Sequence, residues 1–197
     1  TSVAATEYGG DKGIFFGGNS PATGYMGRTS LVSNSGVVQS DTTAVVGVTA
    51  RDAPAGCGYD LDKGIFGYGN TGSKVSMTNL VSNAGVMATD VTGVGTARSW
   101  LAACEYGSDK AIFGYGDTGS EVSMTNLVSN AGVVATDVTG VGTARKAPAA
   151  CGYGYDKGIF GFGSNGSYTA VTNLVTNAGV VGSDVAGVGT ARGYLGA

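Results

Sequence analysis

The residues that could carry chemistry in this chain recur at regular intervals. The pattern Tyr-x-x-Asp-Lys occurs four times, and each interval ends in Thr-Ala-Arg. Aspartates around one mouth of a channel could together bind Ca²⁺, which takes about six to eight oxygen ligands. No segment resembles an EF-hand loop, so we favour a structural role, in which the aspartates bond their own turn backbone and the arginines bind carbonyl or carboxylate oxygens. These recurring residues are Asp11, Asp62, Asp109, Asp156, Arg51, Arg98, Arg145 and Arg192.

Three cysteines share one repeated position. Cys57, Cys104 and Cys151 occupy it, and Thr6 stands there in the first interval. Three thiols cannot all pair within one chain, and equivalent positions of separate repeats rarely approach closely enough for a disulfide. We therefore expect buried free thiols. Because the chain has no histidine, metal capture by thiolates alone is the alternative. We predict no metal site and no cofactor.

Aromatic residues are the candidate binding groups. Exposed rings flanked by Asn, Asp and Gly suit the stacking of sugars, and repetition would add avidity. Rings at alternating strand positions more often pack between neighbouring sheets, and we favour that interpretation. The first interval carries inserts, which makes it the expected place for any contact unique to one repeat. The candidates are Tyr8, Tyr59, Tyr106 and Tyr153 in the recurring motif, and Tyr25 and Arg28 in the first interval.

Composition excludes several functional classes. The absence of histidine removes Ser-His-Asp and Cys-His catalysis. A net charge of −3, with no cluster of basic residues, argues against nucleic acid as a partner. No apolar run approaches the roughly 20 residues of a membrane helix, so we expect no membrane insertion. The sequence therefore predicts that the protein is not an enzyme.

The main signal is an internal repeat. The closing arginines, from Arg51 to Arg192, follow one another at 47-residue steps. Between residues 61–98 and 108–145, only 5 of 38 positions differ. Such periodicity is typical of repeat architectures. We expect a single repeat domain over 1–197, with unit 1 at about 1–51, unit 2 at 52–98, unit 3 at 99–145 and unit 4 at 146–192; residues 193–197 repeat the start register.

Each unit is predicted to contain four short strands. In unit 3 these are 101–106, 110–116, 122–129 and 133–138, separated by turns rich in Gly and polar residues. The sequence Asn-Ala-Gly at 130–132 suits a three-residue hairpin with glycine in the left-handed conformation. Although 37 of 197 residues are glycine, only 3 are proline and 42% are apolar. This composition indicates a folded, β-rich chain.

The order of motifs resembles the kelch-type repeat. An arginine precedes the first strand, Ala102 and Ala103 follow, and an aromatic strand then ends in glycines. The glycine doublet of kelch blades is present only at Gly17-Gly18; the other units have Gly-Tyr-Gly or Gly-Phe-Gly. The resemblance implies an all-β protein, a β-propeller built from four-stranded antiparallel blades. A different class of propeller blade, or a flat β-solenoid coil, is the alternative.

One repeated position reverses its charge. Lys74 and Glu121 occupy it in two nearly identical units, and Tyr168 occupies it in unit 4. A pair between neighbouring units would explain the reversal, but we favour neutral variation on a solvated turn.

The two ends of the chain share a register. Residues 1–5 and 193–197 fall on the same repeat positions. This overlap fits a loose tail, a piece of a longer array, or an end that completes a blade in a neighbouring molecule. A closed four-blade ring and assembly between chains are equally compatible with it.

The sequence therefore predicts a non-enzymatic repeat scaffold, a structural or protein-interaction module that associates with itself or another protein. A multivalent glycan-binding lectin, with one weak site per repeat, is the alternative. We expect the protein to be secreted, extracellular or associated with a virion or cell surface.

Overall fold

The structure is a computed structural model that describes residues 2–196, and this part of the chain is all-β. Each unit forms one three-stranded antiparallel sheet. In unit 1 the strands are β1 (Ala4–Tyr8), β2 (Lys12–Phe16) and β5 (Thr29–Val32), with a small hairpin of β3 (Asn19–Ser20) and β4 (Gly24–Tyr25). Units 2, 3 and 4 contain β6 (Ala55–Tyr59), β7 (Lys63–Asn70), β8 (Lys74–Val81), β9 (Ala102–Tyr106), β10 (Lys110–Gly114), β11 (Thr125–Val128), β12 (Ala149–Tyr153), β13 (Lys157–Gly161) and β14 (Thr172–Val175).

The turns are where the sequence predicted them. In unit 3, Tyr106 pairs with Lys110 across the first turn, in which Gly107 and Ser108 have φ angles of 61° and 70°. The predicted hairpin glycine Gly132 has a φ of 74°, in the left-handed region that glycine adopts without steric cost. These turns set the register that brings the strands of each sheet together.

The predicted fourth strand requires correction. Residues 133–138 pair with β11 only through two bridges, Val128 with Val134 and Thr125 with Val138. The side chain of Asn126 explains the interruption, because its Nδ2 donates hydrogen bonds to the carbonyl of Ala135 and to Asp137. A side chain therefore makes contacts that a continuous ladder would make between backbones. The sheets are three-stranded, and the fourth segment is only bridged to them.

The units follow one another in space as they do in sequence. Strand β1 packs beside β6, β6 beside β9, and β9 beside β12. All four strands line one cavity of about 480 Å³. Within residues 2–196 no comparable contact joins β12 to β1, so the described part of the chain is an open array of four units.

Aromatic rings pack across each boundary between units. Phe113 of unit 3 lies 5.3 Å from Tyr68 of unit 2, and Phe160 of unit 4 lies 5.1 Å from Tyr115 of unit 3, both measured between ring centroids. Glycine makes room for them: a Cβ at Gly114 would lie 2.7 Å from the ring of Phe160. The glycines in the aromatic strands therefore admit the next unit's ring.

Replacement of Gly114 by alanine should destabilise the protein by about 1–3 kcal/mol, because the added methyl group overpacks the contact with Phe160. Gly161 is the matched control: it holds the same position in unit 4, but a Cβ there would meet only Thr172, at 3.3 Å. Urea unfolding of the two variants measures the difference. Equal losses from Gly114→Ala and Gly161→Ala would contradict this account of the packing.

Candidate functional site

Three recurring arginines are buried between units. Arg98 is fully buried; it donates from Nη2 to Asn126 of unit 3 (2.7 Å), from Nε to the carbonyl of Tyr115 (2.9 Å), and from Nη1 to the carbonyl of Thr96 (3.2 Å). Its guanidinium lies 4.2 Å from the centre of the Tyr68 ring. Arg51 and Arg145 donate from Nη2 to Asn79 and Asn173 and from Nη1 to the carbonyls of Thr49 and Thr143. Unlike that of Arg98, their Nε atoms are buried without a hydrogen-bond partner. Burial lowers the pKa of Arg51 to about 10, although Asp90 opposes the shift.

A carboxylate completes each arginine contact. Asp137 lies 3.8 Å from Arg98 and accepts hydrogen bonds from the backbone and hydroxyl of Thr96 in the preceding unit. Burial alone would raise the pKa of Asp137, but the hydrogen bonds from Thr96 and Asn126, with the charge of Arg98, hold it below its usual value. Asp90 and Asp184 are bound in the same way by the preceding units. We call this arrangement of Arg, Asn, Asp and Thr the arginine clamp.

The other recurring aspartates have a different partner from the one predicted. Instead of mainly bonding their own turn backbone, Asp11, Asp62, Asp109 and Asp156 each accept a hydrogen bond from a hairpin asparagine, at 3.0–3.1 Å. These bonds tie the first turn of a unit to its hairpin. Hydrogen bonds from Lys110 and Asn130, against the effect of burial, lower the pKa of Asp109. Between residues 2 and 196, no group of three or more Cys, Asp or Glu is arranged to hold a metal ion.

Three of the four motif tyrosines are covered. Tyr8, Tyr59 and Tyr106 are buried, and each ring lies against the hairpin glycine of the following unit; a Cβ at Gly85 would lie 2.8 Å from the Tyr8 ring. They have no face on which a sugar could stack, and their burial between units agrees with the packing role that we favoured over binding. Tyr153 of unit 4 is 41% exposed.

The insert of unit 1 supplies one contact to unit 2. The hydroxyl of Tyr25 accepts a hydrogen bond from Asn70, at 3.3 Å. Arg28 is exposed, and its carbonyl accepts a hydrogen bond from Gly17. The structure therefore does not bring Tyr25 and Arg28 together with the motif tyrosines.

The cysteines divide into two kinds. All three are free thiols. Cys57 and Cys104 are buried, and burial raises the pKa of Cys104 to about 12 and that of Cys57 well above its usual value. Cys151 is exposed, which corrects the expectation of three buried thiols. The difference follows from position, because units 3 and 4 cover the first two cysteines and Cys151 lies on the open side of unit 4.

Two glutamates line the cavity between the first strands. Glu7 and Glu105 both line it, with the three cysteines. Burial, and secondarily the charge of Glu7, raises the pKa of Glu105. At the other end of these strands, a second space of about 450 Å³ is lined by Ala and Pro residues together with Trp100 and Tyr194.

A network of charges joins units 2, 3 and 4. Asp117 pairs with Lys74, and Lys146 binds both Asp117 (3.5 Å) and Glu121 (3.0 Å). Lys74 and Glu121 therefore each form an ion pair with the following unit, Lys74 with Asp117 and Glu121 with Lys146, which corrects the preference for neutral variation. Trp100 and Tyr194, with ring centroids 5.1 Å apart, join Asn70, Lys74 and Asp117 around a groove of about 250 Å³. The sequence signals for this groove were the charge reversal and the single tryptophan.

Comparison with known protein families gives no match, and comparison with curated proteins gives no significant match. The resemblance to the kelch repeat therefore depends on the motifs of this chain alone. The residues described contain no helix long and apolar enough to cross a membrane.

Replacement of Arg98 by methionine should lower the free energy of unfolding by about 3 kcal/mol, because it leaves Asn126 and the carbonyl of Tyr115 without a donor inside the protein. Arg192 is the matched control: it holds the same repeat position, is exposed, and donates only to the carbonyl of Thr190. Arg192→Met should change the stability by less than about 1 kcal/mol. Chemical unfolding tests both, and a comparable loss in both variants would count against the clamp.

Proposed function

We propose that this protein is a non-enzymatic repeat scaffold that associates with copies of itself. The observation that carries the proposal is that most of the recurring residues make contacts within the protein. The arginine clamps and the buried tyrosines are occupied in contacts between units. In units 1 to 3, the residues that sequence repetition makes conspicuous therefore build the scaffold.

We further propose that the units are blades of a propeller-like array of the kelch type. The common cavity lined by β1, β6, β9 and β12 supports this interpretation, because the inner strands of propeller blades surround a central channel. The open side between units 4 and 1 leaves room for an additional unit or another chain.

A repeated apolar surface supports self-association. The valine after each hairpin glycine is exposed, with 61% of Val37, 65% of Val86, 65% of Val133 and 61% of Val180 accessible. These valines begin the segments that are only bridged to their sheets. Exposed apolar residues along a sheet edge are typical of surfaces that meet another protein. Secretion or display on a cell or virion surface remains part of the proposal.

Sedimentation of the purified chain over a wide concentration range tests the proposal. The expected result is an average mass that rises above the 19.4 kDa of one chain as concentration increases, because association follows mass action. A chain that sediments as a strict monomer at the highest accessible concentration would contradict it.

Glycan binding is the second candidate function, and one observation favours it. The groove beside Trp100 combines two aromatic rings with amide, ammonium and carboxylate groups, a composition suited to small polar ligands. Since Trp100 is the only tryptophan, its fluorescence reports directly on this groove. Titration with sugars identified on a glycan array should shift the emission, and the Asn70→Ala variant should weaken the response. An array without hits and an unchanged spectrum would remove this candidate.

A further inference from the structure

The three boundaries between units are built from the same pairs of positions. We call the side of a unit that meets the next unit its trailing face, and the side that meets the previous unit its leading face. The trailing face supplies an arginine, a threonine, a tyrosine and a small residue of the first strand. The leading face supplies an aspartate, a phenylalanine ring, the hairpin glycine, and Gly or Ala at the start of the second strand. Cys104 against Gly158 and Tyr106 against Gly179 show this at the boundary of units 3 and 4.

The trailing face of unit 4 has the same residues without their partners. Cys151 is exposed where Cys57 and Cys104 are buried, and Tyr153 is 41% exposed where Tyr106 is 5% exposed. Arg192 stacks on Phe162, with its guanidinium 4.2 Å from the ring centre, and is otherwise open to solvent. This face is therefore folded in the same form as the three that are covered.

The leading face of unit 1 is also open and carries the matching residues. Phe15 holds the position of Phe66, Phe113 and Phe160; it is 42% exposed, whereas those three rings are fully buried. Gly36 holds the position of Gly179, and a Cβ there would meet nothing within 4 Å. Asp41 holds the position of Asp184 and is exposed. Apart from the asparagine of the arginine clamp, the groups that unit 4 lacks are present on unit 1.

We propose that the trailing face of unit 4 in one copy binds the leading face of unit 1 in a second copy. The contact reproduces the internal boundaries: Phe15 packs beside Gly161 and Phe162, Tyr153 covers Gly36, and Asp41 accepts hydrogen bonds from the Thr190 segment beside Arg192. The opposite charges of Arg192 and Asp41 favour this orientation. The proposal rests on the proposed function and specifies which surfaces meet.

Two features make this contact weaker than the internal ones. Ser30 stands in unit 1 where Asn79, Asn126 and Asn173 bind the clamp arginines, and its hydroxyl already donates to Asp41 at 2.5 Å. In addition, the backbone of Tyr194 donates to the carbonyl of Ala147 (3.1 Å), as Ala53 does to that of Ser2 (3.1 Å). Tyr194 thus makes the contact that the start of a following unit would make. It must be displaced when unit 1 of a second copy binds there.

The contact joins different surfaces of identical chains, so each bound copy retains one free face. Such heterologous association closes into a ring if the rotation per copy allows it, and otherwise grows into a filament. The same surfaces serve both forms.

A charge exchange tests the orientation in the full chain. Asp41→Arg and Arg192→Asp should each weaken association by about tenfold or more, because each places like charges or no partner at the contact. The double variant should recover much of the lost affinity, since it restores an opposite pair between copies. Sedimentation gives the constants, and circular dichroism verifies folding. Singles that associate like the original chain, or a double variant no better than the singles, would overturn the proposal.

Val133→Lys tests the valine surface as the competing contact, because Val133 is exposed and belongs to unit 3, which lies between units 2 and 4 and has neither of the two open faces. It should leave the contact between unit 4 of one copy and unit 1 of the next unchanged. If it abolishes association while the charge variants do not, the chain self-associates through its valine edge; the proposed function then stands and this contact is wrong. A strict monomer would overturn both.

Thiol labelling locates the contact independently. With N-ethylmaleimide, dilute protein should label at Cys151 alone, because Cys57 and Cys104 are buried, and labelling should slow as concentration and association rise. A chain lacking residues 193–197 should associate more tightly and show this protection at lower concentration. Protection of Cys151 at every dilution in a monomer would mean that the ring closes within one chain, and would overturn binding of a second copy.

Discussion

The burial of one arginine at each boundary is the constraint on which the rest of the structure depends. A guanidinium withdrawn from water needs acceptors for its donors, and Arg98 obtains them from its own unit, from the aromatic strand of unit 3 and from Asn126. The aromatic ring beneath it and the carboxylate of Asp137 supply further stabilisation. Since these partners come from two units, an isolated unit cannot satisfy its own arginine, and each unit becomes dependent on its neighbour.

This dependence explains why glycine and aromatic residues alternate in the second strand of units 2 to 4. The clamp fixes the distance between neighbouring sheets, and that distance leaves no room for a side chain at Gly67 or Gly114, where the ring of the next unit enters. The order of residues differs in unit 1, where Phe16 stands at the position of Gly67 and Gly17 at the position of Tyr68. Arg51 stacks on Phe16 at 4.8 Å from the ring centre, so the ring is kept although its place in the sequence moves by one residue.

The fold could be predicted from the sequence to the extent that it depends on local pattern. The first two strands of unit 3 and the left-handed hairpin glycine follow from alternation and turn chemistry. The fourth strand could not be predicted correctly, because its interruption depends on the Asn126 side chain, which competes with the backbone for Ala135. The same limit applies to the candidate site. Identical motifs at Tyr106 and Tyr153, or at Cys104 and Cys151, differ in exposure only because one has a following unit and the other does not.

Repetition therefore encodes more than a stable stack. The same boundary contacts form three times within the chain, so this geometry is compatible with stable packing. Most of the residues that form it are also present on the two faces that remain open. The substitution of Ser30 for asparagine falls on one of these faces, at the acceptor that the buried arginines require. In the proposed contact, Arg192 faces Ser30 and Asp41. It has a carboxylate of opposite charge nearby, but it lacks the asparagine oxygen that accepts a hydrogen bond from each fully buried arginine. In the proposed association, the contact between the open faces differs from the internal ones in its strength and not in its geometry, and this distinguishes reversible association from continuous folding.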